Sequence, residues 1–277
     1  MSGRGLRTAA GHGPRAASPA AKGTDSFGDF ERVLVGDWTL RRYGTIASTQ
    51  DAAAALPCWT VVTAEIQTAG RGQWQRRFAS DRGGLYLTAV LPFEGGALLW
   101  RGFALAVGWT IASHFSTKAI ARLRLRWPND LMIGDRKVGG ILITQGKPDT
   151  LCVGLGLNVR NRPWLQDPGL EATACRLADF AKEEKLGFGF LSETLLEAMR
   201  AAHANFSRSG LGGFVDALNQ SWGGAREVRL EMAHGAPSSE VFGRFQGILP
   251  NGDLLLENSD GENISVRAHL VSRLCER

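Results

Sequence analysis

An amide, a carboxylate and an ammonium fall within nine residues in the segment Arg126-Trp-Pro-Asn129-Asp130-Leu-Met-Ile-Gly-Asp-Arg-Lys137. Pro128 ends the apolar run Leu123, Leu125, Trp127, because it donates no N–H and pushes its predecessor toward extended backbone. The expected path is a turn at Asn129–Asp130, a short strand Leu131–Ile133, a polar hairpin Gly134-Asp135-Arg136 and a return strand Val138–Ile143. That path sets Asn129, Asp130 and Lys137 at the ends of adjacent strands. A site that holds a carboxylic acid, a polyphosphate and a magnesium ion together needs such a set. Only six lysines occur in the 277 residues. Lys137, placed before a buried strand, reads as a compact point charge, with a snorkelling surface lysine as the alternative.

The stretch Glu65-Ile-Gln67-Thr-Ala-Gly70-Arg71-Gly72-Gln-Trp-Gln-Arg76-Arg77-Phe78 places two glycines around one arginine and two further arginines nearby. Glycine lets backbone N–H groups approach an anion, and arginine forks match carboxylate and phosphate oxygens. The segment alone is equally consistent with an anion-covering loop and with a solvated basic loop. In Val153-Gly-Leu-Gly-Leu-Asn158 the glycines interrupt a strand. Close packing is the favoured reading there, with a ligand crossing the backbone as the alternative.

The elements that must carry these groups follow from pattern. Trp38–Ile46 reads as a strand, and Ser48-Thr49 as caps for a short helix Gln50–Leu56. Thr60–Ile66, Gly84–Leu91 and Leu151–Val159 read as further strands. Leu98–Ser116 reads as a buried helix on the sheet. Helices are expected at 171–186, 189–208 and 211–221. Beyond Gly223-Gly224, short alternating strands (Val228–Met232, Val241–Leu249, Asp253–Glu257, Ile264–Val266) with a Pro-Asn-Gly-Asp turn predict a small β-barrel. Three segments result: a disordered extension 1–26, a catalytic region 27–222 and a barrel 223–277.

Composition bounds the function. With 44% hydrophobic and 21% charged residues the chain is that of a globular protein with a proper core. No run matches a membrane helix or a signal peptide, so no membrane association is expected. The pI of about 9.3 owes most to the extension. Residues 1–24 carry Arg4, Arg7, Arg15 and Lys22 and no acid, supplying +4 of the net +5. The remainder shows no basic footprint for nucleic acid. Cys58, Cys152, Cys175 and Cys275 form no C-x-x-C pair and read as reduced thiols of a cytoplasmic protein.

Taken together, these stretches resemble the biotin protein ligases. The resemblance covers about residues 40 to 160 and rests on Ser48-Thr49, Gln67-Thr-Ala-Gly-Arg-Gly72, Gly84-Leu-Tyr-Leu87, Trp127-Pro-Asn-Asp130 with Lys137 seven residues on, Gly140-Ile-Leu142 and Gly154-x-Gly-x-Asn158. It implies an α+β fold, a mixed β-sheet with helices packed on it of the class II synthetase-like kind, followed by an SH3-like barrel. It also implies the activity: biotin and Mg-ATP form biotinyl-5′-AMP, and the acyl group passes to a lysine of a biotin carboxyl carrier protein. By this resemblance Lys137, Arg71 and Asp130 are catalytic. Ser48, Thr49, Gln67, Gly70, Gly72, Arg76, Trp127, Gly139 and Gly140 join Arg71 and Lys137 in holding the substrate. Arg71, Arg76, Asn129, Asp130, Lys137 and Asn158 meet the nucleotide, and Asp130 meets the magnesium indirectly or through ATP. Trp164 is a candidate to stack on adenine.

Some members carry a DNA-binding winged helix; the extension here is too short for one, so a ligase without nucleic-acid partner, monomeric or homodimeric, is expected. The chain departs from the family pattern at Gln50 (usually Asn), at Gln73, Trp74 and Gln75 (commonly Arg and Gly), at Phe78 (usually Trp), at Arg126 (commonly Lys) and at Thr144 (frequently acidic). Two rival readings stand beside biotin ligation. One is a lipoate or octanoate ligase of the same superfamily, and the other a degenerate protein that binds biotin or nucleotide without catalysis.

Overall fold

The computed structural model describes residues 20–222, 226–236 and 238–276. Its larger sheet has nine strands: β1 (Ala21–Asp25), β2 (Gly28–Val35), β3 (Trp38–Ile46), β4 (Thr60–Gln67), β5 (Leu85–Pro92), β6 (Arg124–Arg126), β7 (Asp130–Ile133), β8 (Arg136–Gln145) and β9 (Thr150–Leu157). Their spatial order is β1-β2-β3-β4-β5-β9-β8-β7-β6. The β3–β4 pair is parallel and the other pairs are antiparallel. A parallel pair needs a crossover, and here it contains the short helix α1 (Thr49–Ala53).

Period-two alternation sorts the side chains between two faces. On β9, Leu151, Val153, Leu155 and Leu157 enter the main core, while Cys152 joins a second small cluster under α1. The main core lies beneath α2 (Phe103–Thr117) and α3 (Phe188–Ser209). Apolar side chains on most faces of α2 fit a helix packed against both sheet and α3. The fold is thus α+β, a mixed sheet with helices packed on it.

A second sheet follows α4 (Val215–Trp222): β10 (Glu227–Met232), β11 (Glu240–Ile248), β12 (Leu254–Glu257), β13 (Asn263–Val266) and β14 (Val271–Glu276). It is antiparallel, in the order β13-β12-β11-β10-β14, a small SH3-like unit. The two sheets share one continuous core. The Trp222 ring stacks on Phe245 at 4.2 Å, and Trp127 Nε1 donates to Gly252 O at 2.9 Å.

Four expectations need correction. Residues 21–25 of the expected disordered extension form β1, because Asp25 accepts from Tyr43 Oη at 2.6 Å and pairs with Arg41 at 2.9 Å. These anchors are polar, so no apolar pattern announces them; residues 1–19 of that extension lie outside the described residues. The helix expected from Leu98 begins at Phe103, after a 3-10 turn whose Leu98 and Leu99 are exposed. Segment 171–186 holds 3-10 turns instead of a helix. Its backbone brackets Lys137, whose N–H donates to Thr173 O and whose carbonyl accepts from Cys175 N–H. Finally, a fifth strand, β14, joins the four expected in the small sheet. The expected boundary at Gly223-Gly224 lies outside the described residues.

Trp222 supplies a test of the shared core. Its indole N–H has no partner although it is buried. Trp222→Ala is expected to cost about 3–5 kcal/mol through the cavity it leaves. Trp222→Phe keeps the stack, sheds the unpaired donor and should cost under about 1.5 kcal/mol. Urea midpoints of the two variants check this.

Candidate active site

A cavity of about 490 Å³ opens between the two sheets. Its floor is the open face of β8 and β9, where Gly140, Gly154 and Gly156 replace side chains. A Cβ at Gly154 would lie 2.3 Å from Gln50 Oε1, and one at Gly156 would lie 2.5 Å from the Phe78 ring. A side chain at either position would displace the Gln50 amide or the Phe78 ring. The start of α1, the loop between β4 and β5, the start of β7 and the edge of β14 complete the walls.

One part of the cavity is charged. Asp130 begins β7 opposite Gly140. Its Oδ1 meets Lys137 Nζ at 2.5 Å and its Oδ2 meets Arg126 Nη2 at 2.7 Å. Burial acts to raise the carboxyl's pKa, but Lys137 and Arg126 outweigh it and hold the group below the ordinary carboxylate range. One anion and two cations leave this cluster with a net positive charge. Arg71 forms a two-pronged pair with Asp51 of α1, one contact at 3.1 Å.

Further along β8 the lining turns neutral. Ser48 caps α1, its Oγ accepting from Gln50 N–H. Gln67 Oε1 accepts from the backbone and hydroxyl of Thr49, and its Nε2 donates to Ser80 Oγ at 3.0 Å. Gln50 is buried, with Nε2 donating to Thr144 Oγ1 at 2.8 Å and to Cys152 O at 2.9 Å. Thr88 donates its hydroxyl to this group. The arrangement is a set of uncharged donors and acceptors under the sheet.

The structure gathers most of the expected residues. Ser48, Thr49, Gln67, Arg71, Gly72, Arg76, Trp127, Asn129, Asp130, Lys137, Gly140 and Asn158 all border the cavity. Gly70 and Gly139 lie behind its wall. A Cβ at Gly70 would meet Ser80 Oγ, and one at Gly139 would meet Gly156 O. Close packing is what these two positions require. Asn129 Nδ2 donates to Ile141 O at 2.6 Å, and Asn158 bridges Cys175 O and Asn161, so both amides also tie strands to their neighbours. Trp164 does not border the cavity, although its neighbour Pro163 does.

Three relations escaped the sequence reading. Asp51, the partner of Arg71, lies twenty residues from it and reads as an ordinary acid in a helix's first turn. The two departures Gln50 and Thr144 are bonded to each other, a pairing across 94 residues that no local pattern reveals. The third is the wall supplied by β14 through Val271, Ser272 and Leu274.

Residues 37–158 match the model of the biotin/lipoate A/B protein ligase family. The bifunctional ligase/repressor BirA of Escherichia coli is 29% identical over 228 residues, covering 74% of this chain and 65% of that protein. This chain therefore spans just under two thirds of that relative's length. The biotin–[acetyl-CoA-carboxylase] ligase of Paracoccus denitrificans is 26% identical over 212 residues, 73% of this chain and 86% of that protein. Among solved structures, the biotin protein ligase from Aquifex aeolicus in complex with biotin and ATP superposes with a TM-score of 0.70 at 23% identity. That match covers 86% of this chain and 99% of the other. The fold is the biotin ligase fold, small terminal sheet included.

In this ligase-fold domain the depressed Asp130 carboxyl has a consequence for stability. Its contribution is present above the unfolded carboxylate pKa of about 4 and is lost as pH falls through the lower folded value. Asp130→Asn should cost about 3 kcal/mol at pH 7, because two cations lose their anion. The gap from the parent should shrink below about pH 4. Urea unfolding at pH 7 and pH 3 measures both.

Proposed function

We propose that this protein activates biotin with ATP to biotinyl-5′-AMP and transfers the biotinyl group to a lysine of a biotin carboxyl carrier protein or domain. The family match and the ligase names of its relatives support this reading, as does an Aquifex homologue of the same fold solved with biotin and ATP. The observation that carries it is the change of polarity along β8. The Lys137 ammonium lies against Gly140, whereas Thr144, four residues on, meets Gln50. Four strand residues span about 13 Å. One end thus suits an anion and the other a neutral group rich in hydrogen-bonding atoms, as biotin's carboxylate and ureido ring are.

The chemistry is an electrostatic problem. A carboxylate oxygen attacks the α-phosphorus, the bond to the bridging oxygen breaks and pyrophosphate leaves. Two anions must first be brought together, and fixed cations in a water-poor site lower that barrier. Lys137 sits at the junction of carboxyl and α-phosphate, with Asp130 fixing its direction. Arg71 and Arg76 face the phosphates, Asn129 and Asn158 border the nucleotide, and Ser48, Thr49 and Gln67 take the ureido end. Trp127 and Gly72 shape the walls. In the second step the carrier lysine's amine attacks the acyl carbon, AMP leaves and the nitrogen sheds a proton.

Magnesium belongs to this reading as the ion carried by ATP. Both oxygens of Asp130 are engaged by Lys137 and Arg126, and no group of three His, Cys, Asp or Glu able to hold a metal occurs among the described residues. The residues present fit an ion bound mainly through phosphates, which is the usual habit of magnesium. Bound there, it would neutralise phosphate charge.

The neutral end also favours biotin over lipoate: a ureido ring can exchange hydrogen bonds with Gln67, Thr49 and Ser48, which are bonded to one another and to Ser80 and Gln50, whereas a dithiolane has no such N–H or C=O to offer. We assign residues 27–222 as the catalytic region and 223–277 as the smaller domain. The proposed setting is the cytoplasm, consistent with four unpaired cysteines. No helix among the described residues is long and apolar enough to cross a membrane.

Incubation with ATP, labelled biotin and an apo-carrier domain should label the carrier. Label from lipoate instead would move the assignment to the sister enzymes, and biotin binding without turnover would mark a degenerate protein. Lys137→Ala should slow adenylate formation at least about 100-fold. Its urea midpoint should fall by less than that of Asp130→Asn, since Asp130 retains Arg126. Arg71→Ala should raise the KM for both substrates about tenfold, the usual cost of one charged contact; unchanged KM values would make the loop a structural element.

A further inference from the structure

The arginine-bearing loop reaches across to the small sheet with two donors. Trp74 Nε1 donates to Val271 O at 3.1 Å, and Arg76 Nη1 donates to Ser272 O at 2.9 Å. Both acceptors lie on β14, an edge strand of that sheet. Edge strands present carbonyls that no neighbouring strand satisfies. A bulge adds to this, for Glu231 faces Arg273 and Met232 faces Val271, leaving Ser272 as the extra residue. Indole and guanidinium carry donors only, so they complement a pair of carbonyls.

The loop's own geometry makes that attachment consequential. At its tip Trp74 has φ 59° and Gln75 φ 57°, left-handed backbone at two successive residues with side chains. Such a conformation persists only where the surroundings impose it. Lower down, Gly72 N–H donates to Arg76 O at 2.8 Å and Phe78 N–H to Gly70 O at 2.9 Å. The base is therefore a braced hairpin, and fixing its tip fixes Arg71 and Arg76. Loop and β14 border the same cavity.

We propose that Trp74 is a positioning residue that fastens this loop to β14 and thereby keeps the acyl-adenylate in the cavity until the acceptor lysine arrives. The proposal rests on the ligase reading above. It assigns the small sheet a direct part in the reaction, as the fixed surface against which the loop closes. It also accounts for Trp74 at a position where the family commonly has arginine or glycine.

Two measurements test it. Trypsin cleavage after the exposed Arg76 and Arg77 quickens as the loop leaves β14 and its backbone becomes mobile, and this can be followed on the full chain without substrates. Trp74→Phe keeps an aromatic ring but removes the N–H, and should speed this cleavage about fivefold, the worth of one hydrogen bond. Trp74→His, which restores a ring N–H, should return it toward the parent rate. In the second measurement, enzyme loaded with labelled biotin and ATP is separated from free nucleotide, and escape of the adenylate is timed. Trp74→Phe should release it about fivefold faster. Equal cleavage rates would overturn the latch, and faster cleavage with unchanged release would overturn its role in retention. If the parent makes no adenylate, the ligase reading fails, while the cleavage comparison still decides whether Trp74 holds the loop.

Discussion

A partly buried carboxylate held between two cations is the constraint on which this site depends. Asp130 is tolerable beneath the surface because Lys137 and Arg126 each take one of its oxygens. The same contacts tie the beginnings of β7 and β8 and leave one positive charge over for a ligand. Lys137 is further confined from behind, where the irregular segment around Thr173 to Cys175 hydrogen-bonds both sides of its backbone. An ammonium on a flexible stem thereby acquires a defined place.

Space for a ligand arises from the same sheet that builds the core. On β9 each large apolar residue turned toward α2 and α3 is followed by a small one turned the other way: Leu151 then Cys152, Val153 then Gly154, Leu155 then Gly156. The helical side is filled and the opposite side is left shallow. Gln50 and Phe78 then lean over the glycines from α1 and from the loop. The depth of the cavity is therefore set by which residues lack a side chain as much as by those that line it.

Much of this was legible from the chain alone. The Trp-Pro-Asn-Asp turn, the hairpin returning through Lys137 and the glycine-interrupted strand are local patterns with local causes, and they occur where expected. What was hidden depends on distant partners. Asp25 holds β1 through Tyr43 and Arg41, an attachment without apolar periodicity. β14 escaped notice because the bulge at Ser272 places its buried residues, Val271 and Leu274, three apart and so breaks the period of two. Segment 171–186 carries enough Leu and Ala to suggest a helix, yet the open backbone of Lys137 captures it. At Gly70 and Gly139 the family pattern is present, but packing against Ser80 and Gly156 explains it without a ligand.

Because the cavity draws its last wall from residues 271–274, translation must pass the whole second sheet before the binding surface exists. A nascent chain emerging with β1 to β9 already made still lacks the acceptors for Trp74 and Arg76 and the turn that receives Trp127. Ligand capture is consequently coupled to formation of the second sheet, and a bound small molecule lends its stabilisation to both sheets at once.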